Sequence, residues 1–531
     1  MNMDTRLNTS AVHQLPENTN CLALSEDGQF FTIGHKGLSV WCATSYRSIA
    51  EWSQNNVEIT SIQLTRLSGK TYLLGTIDDM GVARILINQS EVIQLLCIIN
   101  TMENINNRSI CVSFQLSQGG DYGVTSMSCN GASWIEVFYF PIDTWLKECA
   151  SALSQQDSKA SLVSEVQWSP IEMIHQIKPL HSVTDTIPES HPQFHSQYLA
   201  LDGSCSVSFC TVHFLLPLSD ERKDNKDIPN ALCVWWGGRK HLLKYSLQKT
   251  TNITNVLPGT VWPNANTINC STVSACTRYI ALGLADALVC IWDRNYCSPL
   301  SVFSMSDMDS PLSAIYFLDY NDALSTCDAK HLLMKCKSRA LYTTRKITRE
   351  KNIRAVQWTE RLHNLHTMVK DSGDLSAAAA VPFLHNLVLL IQRNGEMYLQ
   401  DVINKTKVCS LMIPSKHMLA TSCNPVFALN SRLHTLLIQG TKDPLSMEAG
   451  HNQLYIFHLG ECDILKPYLI TPSDCAKEEK CHFAKLEDWC SRYLQDRRIN
   501  AQERAKDMRQ TWMQLQETSA ASNSRHLTPH V

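Results

Sequence analysis

A repeated hairpin constrains this chain more than any other feature. The segment "CSTVSACTRYIALGLADALVCIWDRNYC", Cys270 to Cys297, read in two-residue steps gives an apolar strand from Tyr279 to Leu284 and a turn at Ala285 and Asp286. A second apolar strand then runs from Leu288 to Trp292. Two strands and a turn bury too little apolar surface to stand alone in water, so such a hairpin must be covered by neighbours.

Copies elsewhere in the chain supply those neighbours. In "NCLALSEDGQFFTIGHKGLSVW", Asn20-Cys21 matches Asn269-Cys270, Ser25 matches Ser274 and Gly34 matches Gly283, while Trp41 arrives two residues sooner than Trp292. Ser25-Glu26-Asp27-Gly28 is a tight-turn sequence between apolar strands. A further copy has Leu73-Leu74-Gly75, an acidic turn at Asp78-Asp79 and a strand through Gly81, Val82, Arg84 and Ile85. Another has a turn at Gly119 to Asp121 and an aromatic strand ending at Phe140. In "NLVLLIQRNGEMYLQD", Asn394-Gly395 is a strong short-range hairpin signal, and Asp401 follows Asn394 by seven residues as Asp293 follows Asp286. Weaker copies span Ala231 to Leu247, Leu312 to Thr344 and Pro425 to Leu459.

Strand pairs recurring at about forty to fifty residues with no long helical pattern between them predict an all-β fold, a β-propeller. The expectation is seven or eight blades in one ring with a C-terminal α-helix; an all-β sandwich pair and two incomplete rings are the alternatives. The expected organisation is an N-terminal tail over 1–12, the propeller over 13–460 and a polar inserted loop over 146–197. A linker over 461–476, an amphipathic helix over 477–517 and a disordered tail over 518–531 complete it.

Composition limits the function classes. Of the 531 residues 44% are hydrophobic and 18% charged, which fits an ordered, strand-rich chain. A formal net charge of −3 gives no electrostatic case for nucleic acid. The start, "MNMDTRLNTSAVHQ", lacks the basic flank and apolar run of a secretory signal, and the longest apolar run, Ala377 to Ile391, is too short and too interrupted for a bilayer span. The expectation is therefore a cytoplasmic protein with no membrane insertion.

No enzyme signature is present: G-x-G-x-x-G, the P-loop, H-E-x-x-H and G-x-S-x-G are all missing. Gly237-Gly238-Arg239-Lys240 reads as a hairpin turn with a solvated basic end, ahead of an anion cradle. The 21 cysteines include no pair with two residues between them, and the loose grouping of Cys462, Cys475, Cys481, His482 and Cys490 has no metal-ligand spacing. No cofactor, no metal and no catalysis are expected.

Asp286 stands six residues before Trp292 and seven before Asp293, as in the turn and third strand of a WD-repeat blade. On these residues and the S-x-D-G turn at Ser25, the chain resembles a divergent WD-repeat protein over most of 13–460. The runs "TYLLGTIDDMGVARI" and "WIEVFYFPIDTWLKE" are similar to one divergent branch of that family. The family's buried Asp-His-Ser/Thr-Trp network does not assemble within any single blade here. The resemblance implies a non-catalytic scaffold binding other proteins of a larger assembly. Kinship of that branch with components of the motile-cilium axoneme further implies a place in the central-pair apparatus. The alternative it implies is an accessory protein associated with electron transport, at the respiratory NADH dehydrogenase, without a cofactor site of its own.

From Lys477 to Glu517 there is no Pro or Gly, and apolar residues fall at helical spacing. The second half of this stripe, Ala501, Ala505, Met508, Trp512 and Leu515, keeps a four-three spacing and is the candidate partner-binding surface, offered to a helical partner or to the propeller's own rim.

Overall fold

The computed structural model describes residues 6–470 with internal breaks, the longest at 180–208, 318–331 and 344–374, together with residues 506 and 513. The strands lie in the first of two units, Met1–Leu469; the second is Ile470–Val531. They form eight sheets in chain order: blade I at 21–52, II at 59–98, III at 110–177, IV at 210–263, V at 268–304, VI at 312–343, VII at 375–412 and VIII at 417–458. Blades I to V are four-stranded antiparallel meanders, and blade VI has three strands among the described residues. Among the described residues these are eight blades of a β-propeller, at the upper bound of the expected number.

Middle strands are apolar on both faces because a neighbouring blade covers each face. Leu387–Gln392 and Tyr279–Leu284 are buried at every position. Separate core clusters link VII to VIII, VIII to I, and then I through V in succession. At the V–VI contact the residue is a glycine: a Cβ on Gly283 would stand 3.1 Å from Ile315 Cδ1 and 3.2 Å from Leu312 Cβ. Stability in this architecture comes from apolar area removed from water between blades, at about 25 cal/mol per Å².

The hairpin repeat is visible atom by atom. Cys21 pairs with Gly34 and Cys270 with Gly283 across the first two strands of blades I and V. In both, the cysteine sulfur occupies the space where a glycine Cβ would stand, at 2.5 and 2.6 Å. The turn that follows is shared by three blades. The amide of the residue five further on donates to the hydroxyl of Ser25, Ser117 and Ser274, at 3.0, 2.9 and 3.1 Å. The amide three further on donates to each serine carbonyl, and these residues, Gly28, Gly120 and Thr277, all have left-handed backbone with φ of 63°, 83° and 53°. Glycine accepts that conformation freely; threonine holds it only under tertiary constraint.

The N-terminus closes the ring. Strand β1 (Arg6–Asn8) pairs in parallel with Lys407–Met412, adding a fifth, outermost strand to blade VII. Strand β2 (Ala11–Gln14) then pairs antiparallel with Asn452–His458 and completes blade VIII. Two side-chain bonds lock the VIII–I joint: Asn430 Nδ2 donates to the Gly28 carbonyl at 2.9 Å, and Gln439 Nε2 donates to the Thr19 carbonyl at 2.9 Å.

Three expected boundaries are corrected. Much of the expected tail over 1–12 is strand, because the outer edges of blades VII and VIII leave backbone groups that need partners. The expected loop over 146–197 contains most of helix α1 (Ile142–Gln156) and the fourth strand of blade III, Glu172–Ile177. Trp145 and Cys149 on α1 are fully buried in the core between blades II and III, and Trp145 Nε1 donates to the Ser169 carbonyl at 2.8 Å. The expected linker from 461 continues the propeller to residue 469: Leu459 and Leu465 are fully buried in the VII–VIII core, and the amide of His385 donates to the Tyr468 carbonyl at 2.7 Å.

Candidate interaction surface

The five stripe residues Ala501, Ala505, Met508, Trp512 and Leu515 lie outside the described residues. In that unit Lys506 and Met513 are described; both are helical and exposed. Of the loose cysteine–histidine grouping, only Cys462 lies among the described residues, and no group of three or more His, Cys, Asp or Glu there is placed to hold a metal.

Most of the described cysteines of the propeller are buried or half-buried, with Cys297 exposed. Burial pushes the thiols of Cys21, Cys97, Cys111 and Cys290 up to about 12, so they stay protonated near neutral pH and are poor nucleophiles. Gly237 to Lys240 form the turn between Ala231–Trp236 and His241–Ser246, closed by the Arg239 amide donating to the Trp236 carbonyl at 3.0 Å.

A polar staple exists that the sequence does not reveal. Trp235 Nε1 donates to Ser271 Oγ at 2.6 Å, and Ser271 Oγ lies 2.7 Å from His213 Nε2. His213 and Trp235 belong to blade IV and Ser271 to blade V, so the network joins two blades, which is why it cannot be assembled within one. Desolvation pushes His213 down to about 4, keeping its ring neutral at physiological pH. Ser271 Oγ accepts from Trp235 and shares a hydrogen bond with the neutral His213 ring.

The turn at Ser25 is held from both sides. Tyr72 of blade II donates to Asp27 Oδ2 at 2.7 Å, Ser25 donates to Asp27 Oδ1 at 2.7 Å, and Arg66 stands 3.7 Å from the same carboxylate. Burial alone would push the Asp27 carboxyl up, but the hydrogen bonds from Tyr72, Ser25 and the Gln29 amide, with Arg66, outweigh it and hold the group below its ordinary value.

A groove of about 360 Å³ opens where blade VII meets blade VIII. Its floor is apolar and buried, formed by Met397, Leu411 and Leu419. Arg6 comes from β1, Arg393 and Glu396 from the Asn394-Gly395 hairpin, and Lys407 from the start of the last strand of blade VII. Parallel pairing sets Arg6 beside Ser410, and the Lys407 ammonium lies over the Tyr398 ring at 5.3 Å. Met412 and Met418, 38% and 54% exposed, form an apolar rim. Its described lining thus mixes apolar and charged side chains.

Antiparallel blades in chain order, with the N-terminal strands completing the last two and Ser-led turns inside blades I, III and V, define a WD-repeat β-propeller. The family described as WD repeat-containing protein 93 matches residues 19–201 and 193–289, just over half of the chain, and the chain belongs to that family. Similar solved structures include Saccharomyces cerevisiae Sqt1, with a TM-score of 0.48 and 9% identity over 86% of this chain and 98% of that one. The C-terminal WD40 domain of Sif2 has a TM-score of 0.46 and 9% identity over 85% and 99% of the two chains. Chaetomium thermophilum Raptor has a TM-score of 0.42 and 9% identity over 86% of this chain, which spans only 29% of the Raptor chain. At these scores the likenesses carry no argument; the sheets and the family match define the fold. No helix among the described residues is long and apolar enough to cross a membrane.

Proposed function

We propose that this chain is a non-catalytic protein-interaction scaffold, a structural component of the motile-cilium axoneme in its central-pair apparatus. The observation that carries the scaffold reading is the joint of blades VII and VIII, into which the N-terminal strands are paired. Strands β1 and β2 are tied into blades VII and VIII, and the groove at that junction has an apolar floor, charged walls and exposed methionines. The axonemal placement is supported by the resemblance of "TYLLGTIDDMGVARI" and "WIEVFYFPIDTWLKE" to a family branch with axonemal kin. Within this function the tail stripe Ala501, Ala505, Met508, Trp512 and Leu515 serves as a second, helical contact.

The test is affinity capture of the full chain from ciliated-cell extract beside the double variant Trp512→Ala/Leu515→Ala. The expected result is an unchanged melting temperature with loss of at least one co-purifying protein. A variant that keeps every partner would remove the tail from the proposal, and a chain that captures no partner above a tag-only control would remove the scaffold.

A further inference from the structure

The groove between blades VII and VIII is charged against the grain of the chain. The protein carries a net charge of −3, yet among the described residues the groove is lined by three cations, Arg6, Arg393 and Lys407, against one carboxylate, Glu396. All four are exposed at the walls while the floor is buried and apolar. The cations therefore face solvent around a strip where apolar side chains gain by leaving water. Arginine and lysine in this setting select carboxylates, and flexible exposed methionines such as Met412 and Met418 accept apolar side chains of varied shape.

Size and surface narrow the ligand. About 360 Å³ is at the small end of binding clefts, enough for a few side chains of an extended segment. A single-stranded nucleic acid needs open aromatic faces for its bases. The tyrosine here, Tyr398, is 8% exposed and its ring is covered by Lys407.

We propose that the groove binds an acidic linear peptide of a partner protein, its carboxylates against Arg6, Arg393 and Lys407 and an apolar side chain between Met412 and Met418. This rests on the scaffold reading and names the class of partner for that surface. It also has a structural consequence. Arg6 reaches the groove only because β1 is paired with blade VII, so the complete site exists only while the N-terminus closes the ring. A ligand that needs the closed ring stabilises it by mass action.

The experiment is fluorescence anisotropy on the full chain with a labelled synthetic twelve-residue peptide of Glu and Leu, beside a peptide with Lys in place of Glu. The acidic peptide is expected to bind, to weaken as salt is raised, and to raise the melting temperature; the basic peptide is not. Arg6→Glu/Arg393→Glu should weaken binding by about tenfold or more, and Glu396→Gln should tighten it by about threefold. Arg393→Glu/Met418→Ser leaves β1 untouched and should weaken binding to a similar degree, which separates loss of the site from loss of ring closure.

Equal binding of both peptides, or unchanged affinity in both double variants, would overturn the proposal. So would preferential binding of a single-stranded oligonucleotide, a concentration-dependent dimer that the charge reversals disperse, or crosslinks from Lys407 to residues beyond 470 of the same chain. Partners still captured by a charge-reversed chain would leave the scaffold reading standing while the groove proposal fell.

Discussion

The side-chain amide of Asn430 donates to the backbone carbonyl of Gly28 at 2.9 Å, across 402 positions of sequence. The last blade thereby holds the turn of the first, while Tyr72 of blade II holds the same turn through Asp27. One four-residue turn is the meeting point of three blades.

Asn430 is fully buried, and its carbonyl oxygen also accepts from the amides of Arg432 and Leu433 at 3.0 and 3.1 Å. Asn430→Ala strands a buried carbonyl and two amides, and the expected loss is about 2 to 4 kcal/mol, read by urea unfolding of the full chain. Asn430→Asp keeps an acceptor for the two amides but sets a buried carboxylate against the Gly28 carbonyl, so a loss at least as large is expected. An alanine variant within about 0.5 kcal/mol of the parent would show that the closing bond is dispensable.

Gly28 and Gly69 both have left-handed backbone, with φ of 63° and 51°, but different surroundings. A Cβ at Gly69 meets nothing within 4 Å, whereas one at Gly28 would stand 2.4 Å from Asn430 Oδ1 and 2.9 Å from Arg432 Cβ. Gly69→Ala should cost about 1 kcal/mol of backbone strain. Gly28→Ala should cost at least about twice that, because it also pushes apart the VIII–I joint. Equal losses in thermal unfolding would mean that the joint yields freely.

Acid should loosen the ring in two stages. His213 titrates near its ordinary value of about 6.5 when unfolded and about 4 when folded. The unfolded chain therefore binds more protons between those values, and the stabilisation is complete above about pH 6.5 and lost as pH falls to about 4, at most about 3 kcal/mol. Asp27, held below its ordinary value, contributes above its unfolded pKa and loses that contribution at still lower pH. Melting temperature against pH should fall over both ranges. His213→Gln should reduce the first, to which His35, His175 and His241, also pushed down by burial, contribute, and Asp27→Asn should reduce the second; a profile unaltered by either change would contradict the assignment.

Much of the repeat is legible in the sequence because it is local. The matches of Asn20-Cys21 with Asn269-Cys270, of Ser25 with Ser274 and of Gly34 with Gly283 correspond to equivalent strand pairs and turns. The third Ser-led turn, at Ser117, is masked by the glycines beside it, and Thr277 gives no sign of left-handed backbone because threonine rarely adopts it. Strands β1 and β2 are short and polar, and their partners lie more than 400 residues away. Helix α1 shows Trp145, Cys149 and Ala152 at helical spacing, but the polar, Pro- and His-bearing stretch after it dominates the composition of that region. The His213–Ser271–Trp235 staple and the groove at Arg6 draw on residues from separate blades or from both ends of the chain, and no local pattern marks them.

The most direct measurement of the central claim is proximity labelling with the full chain fused to a biotin ligase in multiciliated cells or sperm, scoring axonemal and respiratory-chain proteins together. A scaffold of the central-pair apparatus predicts enrichment of central-pair proteins over both outer-doublet and mitochondrial proteins. Exclusive recovery of inner-membrane NADH dehydrogenase subunits, with no axonemal enrichment, would contradict it.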